Sequence, residues 1–180
     1  AAFVGPGLGR SLESMQRLRA LWPHLTMPTV VDADALYWLS TMPQEEWDIR
    51  GKVMTPHLGE VGRLLCRQIP MVDDALLLTL RTLASATQST VLVKGAPTFI
   101  FSSGQPILVM PRGDPGMATA GTGDVLTGMI AGFLAQKLPP CSAAVLSAWL
   151  HGLSGEVAAR TRTSYGLMAS SLLQAIPSAI

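Results

Sequence analysis

Short β-branched runs that each close on a polar or glycine-rich turn, then give way to a longer amphipathic stretch, recur along the first half of the chain. Ala2–Val4 runs into Gly5-Pro6-Gly7-Leu8-Gly9, Thr29–Val31 into Asp32-Ala33-Asp34, Val53–Met54 into Thr55-Pro56, and Val91–Val93 into Lys94-Gly95. Strands alternating with helices build a mostly parallel sheet, because each parallel connection needs a crossover long enough to hold a helix. The spacing predicts helices over about 11–22, behind Thr55, and over about 72–86, 124–136, 142–161 and 168–176. Thr55 reads as an N-cap with Pro56 at the first helical position, where a missing donor is harmless. Residues 98–101 and 107–109, with loop residues between them, suggest a β-meander at the sheet edge. The expected class is therefore α/β, a mostly parallel sheet flanked by helices, as one domain over 1–180. Ligands of such sheets sit beyond the carboxyl ends of the strands.

Composition removes several classes of function. Thirteen Lys and Arg against twelve Asp and Glu leave a formal charge of +1, so no broad field points to nucleic acid or acidic lipid. Charged residues make up only 14% and apolar ones 48%, which argues for a buried core and against disorder. Mean hydropathy is +0.36, yet no apolar run reaches the roughly 18 residues of a spanning helix, so no membrane is expected as a partner. Cys66 and Cys141 lie far apart with no CxxC or Cys/His cluster. They indicate neither a disulfide framework nor zinc, and read as small buried residues in a reducing, cytoplasmic compartment. No secretory signal opens the chain, which starts Ala-Ala-Phe without Met and reads as one piece of a longer polypeptide.

The chemistry concentrates between Gly113 and Gly132, a segment with six glycines. Gly121, Thr122 and Gly123 precede a helix expected to begin at Asp124. Consecutive backbone N–H groups joined to a helix N-terminus make a concave donor site for phosphate, and glycine lets the backbone approach an anion. A carboxylate at that mouth repels anions, but it makes sense as a base that takes a proton from a hydroxyl attacking a bound phosphoryl group. Proton transfer would come late, once oxygen has begun to bond phosphorus. The plainer reading of Asp124 is a cap after a glycine turn; the glycine run favours function. Gly128 and Gly132, inside the helix, read as close-packing positions. Neither GxxxxGK[ST] nor a complete GxGxxG is present.

Lys94-Gly95 follows the strongest strand, and a lysine there can reach a ligand phosphate, although a solvated lysine in a tight turn is the plainer reading. His57 and Glu60, three apart at a helix start, share one face and could hold a phosphate and a Mg²⁺ ion. His24 and His151 have no companions and read as structural. Asp34 reads as a cap, and Asp32 as the residue facing the cleft.

Taken together, Val4-Gly-Pro-Gly-Leu-Gly9, Val31-Asp-Ala-Asp-Ala-Leu36, Thr55-Pro-His-Leu-Gly-Glu60, Val93-Lys-Gly-Ala96 and Gly116–Gly128 (GMATAGTGDVLTG) resemble, in order, the NAD(P)H-hydrate dehydratases. His151-Gly and Gly166-Leu-Met-Ala-Ser170 also fit, so the likeness covers nearly the whole chain. The resemblance implies a ribokinase-like fold and repair of the 6S hydrates of NADH and NADPH. In that reaction ADP, or ATP in eukaryotic members, phosphorylates the ring hydroxyl, and phosphate then leaves; the GMATAGTGD wording is like the bacterial, ADP-using branch. Carried over by position, Lys94, Gly95, Ala96, Pro97, Thr98, Gly121, Thr122 and Gly123 would line the adenine nucleotide. Gly7, Gly9, His57 and Asp124 would contact the hydrate, with Asp124 as the catalytic base, and Glu60 would join the Mg²⁺ and water network.

Leu58 stands where the family usually has Pro, Pro97 where Gly is usual, and Glu156 where Asp is usual; Pro97 removes a backbone donor. Family members also carry a further N-terminal part, so the first strand here is expected to leave an unpaired edge and an uncovered face. A second copy or the missing segment would supply that layer, and an NAD(P)H-hydrate epimerase, fused or separate, is a further expected partner. The other readings the residues allow are a ribokinase-like small-molecule kinase and a truncated, non-catalytic nucleotide-binding module.

Overall fold

Parallel strands joined by right-handed crossovers and laid down in sequence order must carry all their connecting helices on one face. The computed structural model, which describes residues 1–180, has this arrangement. Strands β1 (Ala2–Val4), β2 (Thr29–Val31), β3 (Val53–Met54) and β4 (Thr90–Val93) are parallel neighbours in that order. Between them run α1 (Leu12–Leu21), α2 (Ala33–Leu39), and the pair α3 (Leu58–Leu64) and α4 (Asp74–Thr87). The chain then turns back on itself: β5 (Thr98–Ser102) and β6 (Leu108–Met110) complete the six-stranded sheet as an antiparallel meander. The parallel sheet and its edge meander are as the sequence predicts.

Side chains alternate between the two faces with the period of two that strands impose. Val31, Met54, Val91 and Val93 pack with Leu18, Leu36, Leu39, Val61, Leu76 and Leu80 on the α1–α4 face. Val30, Val53, Leu92 and Ile100 point the other way, against α5 (Thr122–Ala135) and α6 (Pro140–Arg162). Leu126, Ile130 and Leu134 of α5 and Ala143, Ala144 and Ala148 of α6 supply that second core. Helix α7 (Ala169–Ala179) closes a third cluster, its Leu172 and Ala175 packing with Val125 and Ala158.

Several local readings are corrected. Thr55 is not the cap of α3: its amide is still bonded to Val31 O in the ladder, so the extended backbone runs on and His57 becomes the N-cap. Helix α2 was not anticipated. Helix α5 starts at Thr122, two residues before the expected Asp124, because Gly121 takes up the left-handed turn at φ 88°. Cys66 is exposed, and Cys141 is half-buried. No helix is long and apolar enough to cross a membrane.

Strand β1 pairs on one side only, and Phe3, in register with Val30, is 57% exposed. Gly128 and Gly132 are exposed on α5, with nothing within 4 Å of a Cβ built at either, so the expected close packing is absent. Gly128→Ala should therefore raise the stability of this chain by about 0.5–1 kcal/mol, the usual gain of Ala over Gly inside a helix. Urea unfolding measures it, and a loss of stability would mean that this face is covered in solution.

Candidate functional site

A sheet whose strands stand in sequence order has no reversal, and so lacks the switch-point crevice where doubly wound sheets bind ligands. Here the site forms differently. The carboxyl ends of β1–β4 meet the N-terminus of α5, which arrives from the opposite face: a Cβ on Gly123 would lie 3.5 Å from Lys94 Nζ.

Asp32 ties these parts together. It is 1% exposed, and its Oδ1 accepts from Lys94 Nζ at 2.7 Å and from the Ala33 amide at 2.8 Å. Its Oδ2 accepts from Thr127 Oγ1 of α5 at 2.8 Å. Asp32, not Asp34, is the N-cap of α2, which corrects the sequence reading. Asp34 instead holds the glycine turn after β1, accepting from the Gly9 amide at 2.9 Å and Arg10 Nε at 2.8 Å. At Gly5, φ is 124° and a Cβ would overlap the Asp32 carbonyl oxygen, so only glycine fits. With its carbonyl reached by Trp38 Nε1 at 3.4 Å, Gly9 has both backbone groups engaged. Gly7 is exposed, its amide unpartnered and its surroundings open.

Glu60 is 6% exposed; its Oε2 accepts from the His57 amide at 2.8 Å and lies 3.8 Å from Lys94 Nζ. His57 Nδ1 accepts from the Gly59 and Glu60 amides, which leaves its proton on Nε2. Although Nε2 stands 3.6 Å from Glu60, that distance and tautomer make this a neutral contact, not an ion pair. His57, half-exposed, and Glu60 do share one face, as the spacing predicts. Lys94 is no solvated turn lysine: its ammonium is committed to Asp32, beside Glu60 and against Gly123. The turn that follows is closed by Thr98 Oγ1 donating to Gly95 O at 3.1 Å, with Gly95, Ala96 and Pro97 exposed.

The N-terminus of α5 has no side-chain cap, and the amides of Thr122, Gly123 and Asp124 find no acceptor in the chain. Three free donors at a helix N-terminus form an anion cradle. The Asp124 residue is exposed and its carboxylate has no hydrogen-bond or ion-pair partner. Thr122, 7% exposed, anchors the loop from below, its hydroxyl shared between Met117 O at 2.8 Å and Thr119 O at 2.9 Å. Its carbonyl accepts from His151 Nε2 at 2.9 Å. Burial pushes the His151 imidazole below its usual range, with the Lys94 charge adding to this and the Thr122 bond opposing it. Glu156 holds the start of the same loop to α6 through Arg112 Nη1 at 2.7 Å and the Gly113 amide at 3.2 Å.

The sequence reading thus missed Thr127, His151 and the Arg112–Glu156 pair; the only local signal was His151 standing alone on an apolar helix. A half-open apolar cavity of about 120 Å³ lies away from the site, at the far ends of α1 and α2, lined by Met15, Leu18, Trp22, Trp38 and Met42.

Two outcomes follow from this geometry. Lys94→Ala strands the buried Asp32 carboxylate and should cost about 3–5 kcal/mol in urea unfolding, part of it recovered by adding Asp32→Asn; no recovery would show that the pair is not the cause. For His151, the unfolded chain takes up a proton before the folded one does. Its contribution to stability is therefore full above the ordinary histidine range and lost as pH falls through it. Unfolding of His151→Phe followed from about pH 7 to about pH 5 should lose less stability than the wild type, and an equal slope would contradict the assignment.

A family model described as NAD(P)H-hydrate dehydratase matches residues 1–178. The chain is 42% identical over 175 residues to a bifunctional NAD(P)H-hydrate repair enzyme Nnr of Moorella thermoacetica, covering 97% of this chain and 33% of that one. Its fold is similar to the ADP/ATP-dependent NAD(P)H-hydrate dehydratase of Bacillus subtilis co-crystallised with ATP and Mg²⁺, with TM-score 0.84 and 28% identity over 99% of this chain and 63% of that one. A ribokinase-like superfamily protein of Enterococcus faecalis superposes with TM-score 0.83 at 31% identity, over 98% of this chain and 61% of that one. The expected ribokinase-like α/β class is borne out. The chain spans about a third of the curated relative and under two thirds of the solved structures.

Proposed function

Because this chain belongs to the NAD(P)H-hydrate dehydratase family, we propose that it takes part in ADP-dependent dehydration of NADH and NADPH hydrates. The observation that carries the reading is the uncapped end of α5: three unpartnered amides, Lys94 against Gly123, and the unpaired carboxylate of Asp124 one residue on. Gly121, Thr122 and Gly123 would receive the transferring phosphoryl group, whose charge the amides and the helix dipole stabilise. The exposed turn Gly95-Ala96-Pro97-Thr98 beside Lys94 would face the rest of the adenine nucleotide. Gly7, with its free amide, and the exposed Nε2–H of His57 would hold the hydrate. Gly9 and Asp34 would keep the Gly7 turn in place.

In the reaction the ring hydroxyl oxygen attacks the terminal phosphorus of ADP, AMP leaves, and Asp124 takes the hydroxyl proton. The C–O bond then breaks with the oxygen departing in phosphate, a far better leaving group than hydroxide. Loss of a proton from the neighbouring carbon restores the ring double bond. The products are NAD(P)H, AMP and phosphate.

The chain holds no cluster of three metal-binding side chains. Magnesium is commonly held by one or two carboxylates plus substrate phosphates, and the buried Glu60 at the strand ends fits that donor set. A bound Mg²⁺ would neutralise phosphate charge. The bare edge of β1, exposed Phe3 and open Gly128 and Gly132 support a covering layer here, from further polypeptide like that of the longer relatives or from a second copy. An NAD(P)H-hydrate epimerase, fused or separate, would accompany the activity, and two unpaired cysteines, one of them exposed, fit a cytoplasmic setting.

The test incubates the chain with hydrated NADH, ADP and Mg²⁺ and follows the return of NADH absorbance together with free phosphate. A stable phosphate ester would instead identify a kinase, and nucleotide binding without either product a non-catalytic module. Asp124→Asn should keep ADP binding and lose on the order of 10²-fold or more in kcat; near-normal turnover would remove Asp124 from the mechanism.

A further inference from the structure

A helix N-terminus is ordinarily fixed by a side-chain cap that occupies its free amides. At α5 a cap would compete with the anion, and Gly121 and Gly123 leave the backbone there intrinsically loose. Something other than a cap must hold this turn. The Thr122 hydroxyl ties it to Met117 and Thr119 on the loop side, and on the core side one contact reaches it from α6, His151 Nε2 to the Thr122 carbonyl at 2.9 Å. A carbonyl only accepts, so the proton is on Nε2.

We propose that His151 is a positioning residue of the phosphate cradle, its Nε2–H donated to Thr122 O holding the first turn of α5 so that the amides of Thr122, Gly123 and Asp124 converge on one point. This rests on the cradle reading above. His151 acts through Thr122 and touches no reacting atom. The contact takes the place of an N-cap while leaving every cradle amide free, and the buried ring, which desolvation keeps neutral, donates through the one proton it holds on Nε2.

The test compares wild type, His151→Phe, which keeps ring bulk without a donor, and His151→Gln, whose side-chain amide nitrogen keeps a donor at the Nε2 position. Amide hydrogen exchange without ligand and ADP affinity by calorimetry with Mg²⁺ present are both measured. His151→Phe should speed exchange at the Val125 amide, which bonds to Gly121 O across this first turn, and raise the ADP dissociation constant, each by about fivefold to tenfold, as expected for one lost hydrogen bond. The later turns of α5 should exchange as in the wild type, and His151→Gln should restore both quantities to within about twofold. Unchanged exchange in His151→Phe, or a His151→Gln variant as impaired as the Phe one, overturns the proposal.

Wild type that binds no ADP would defeat the cradle reading, while the exchange data would still decide whether His151 holds the turn. If neither variant folds, the ¹⁵N spectrum of the wild-type ring decides. A proton on Nε2 is expected, and one on Nδ1 overturns the assignment.

Discussion

The Asp32 carboxylate is the junction on which the rest of the site depends. It stands at the end of β2, caps α2, receives the ammonium at the end of β4 and the Thr127 hydroxyl of α5. Helix α2 lies on one face of the sheet and α5 on the other, so one buried group fixes both layers against the strands. A carboxylate this deeply buried is tolerable only when it is paired and hydrogen-bonded, and here three donors, one of them an ammonium, reach it. The same constraint reaches β1, because the turn after that strand passes so close to the Asp32 carbonyl that Gly5 has no room for a side chain. Lys94 is thereby pinned against Gly123, and the strand ends share a geometry with α5 that no local preference would enforce.

What the sequence discloses about this molecule is what local patterns encode. The β-branched runs, the meander, the crossover helices other than α2 and the glycine-rich approach to α5 were legible because each leaves a periodic or compositional trace within a few residues. The role of Asp32 was not, since its partners lie 62 and 95 positions away. The start of α3 was misplaced because a threonine before a proline looks like a cap, whereas the structure uses His57 with Glu60 in a capping box, an arrangement whose usual signature begins with Ser or Thr. Gly128 and Gly132 failed for another reason: a helical glycine looks the same in sequence whether a neighbour presses on it or nothing does.

The departures from the family wording also acquire physical content. Glu156, where Asp is usual, reaches both Arg112 and the Gly113 amide, so the longer side chain anchors the loop that leads to the cradle. Arg112 in turn lies over the Trp149 ring at 4.4 Å, and Gly152 admits its backbone. Pro97 lacks an amide, so the turn after Lys94 is closed by Thr98 onto Gly95 instead. Leu58, in place of Pro, is the first residue of α3 behind a His57 that already supplies the cap; none of the three substitutions touches Asp124 or the free amides.

Charge balance at the strand ends bears on how a nucleotide could enter. Asp32, Glu60 and Asp124 bring three carboxylates to this edge, and Lys94 is the one ammonium ion-paired among them. The α5 dipole adds only about half a positive charge. A bare diphosphate would meet net repulsion, even with three amides waiting for it. A diphosphate that arrives with a divalent cation would not, and Glu60 then has a charge to face besides Lys94. Since the side chains here form no cage able to keep such an ion by themselves, metal and nucleotide would enter together and leave together, and affinity for either alone would be weak.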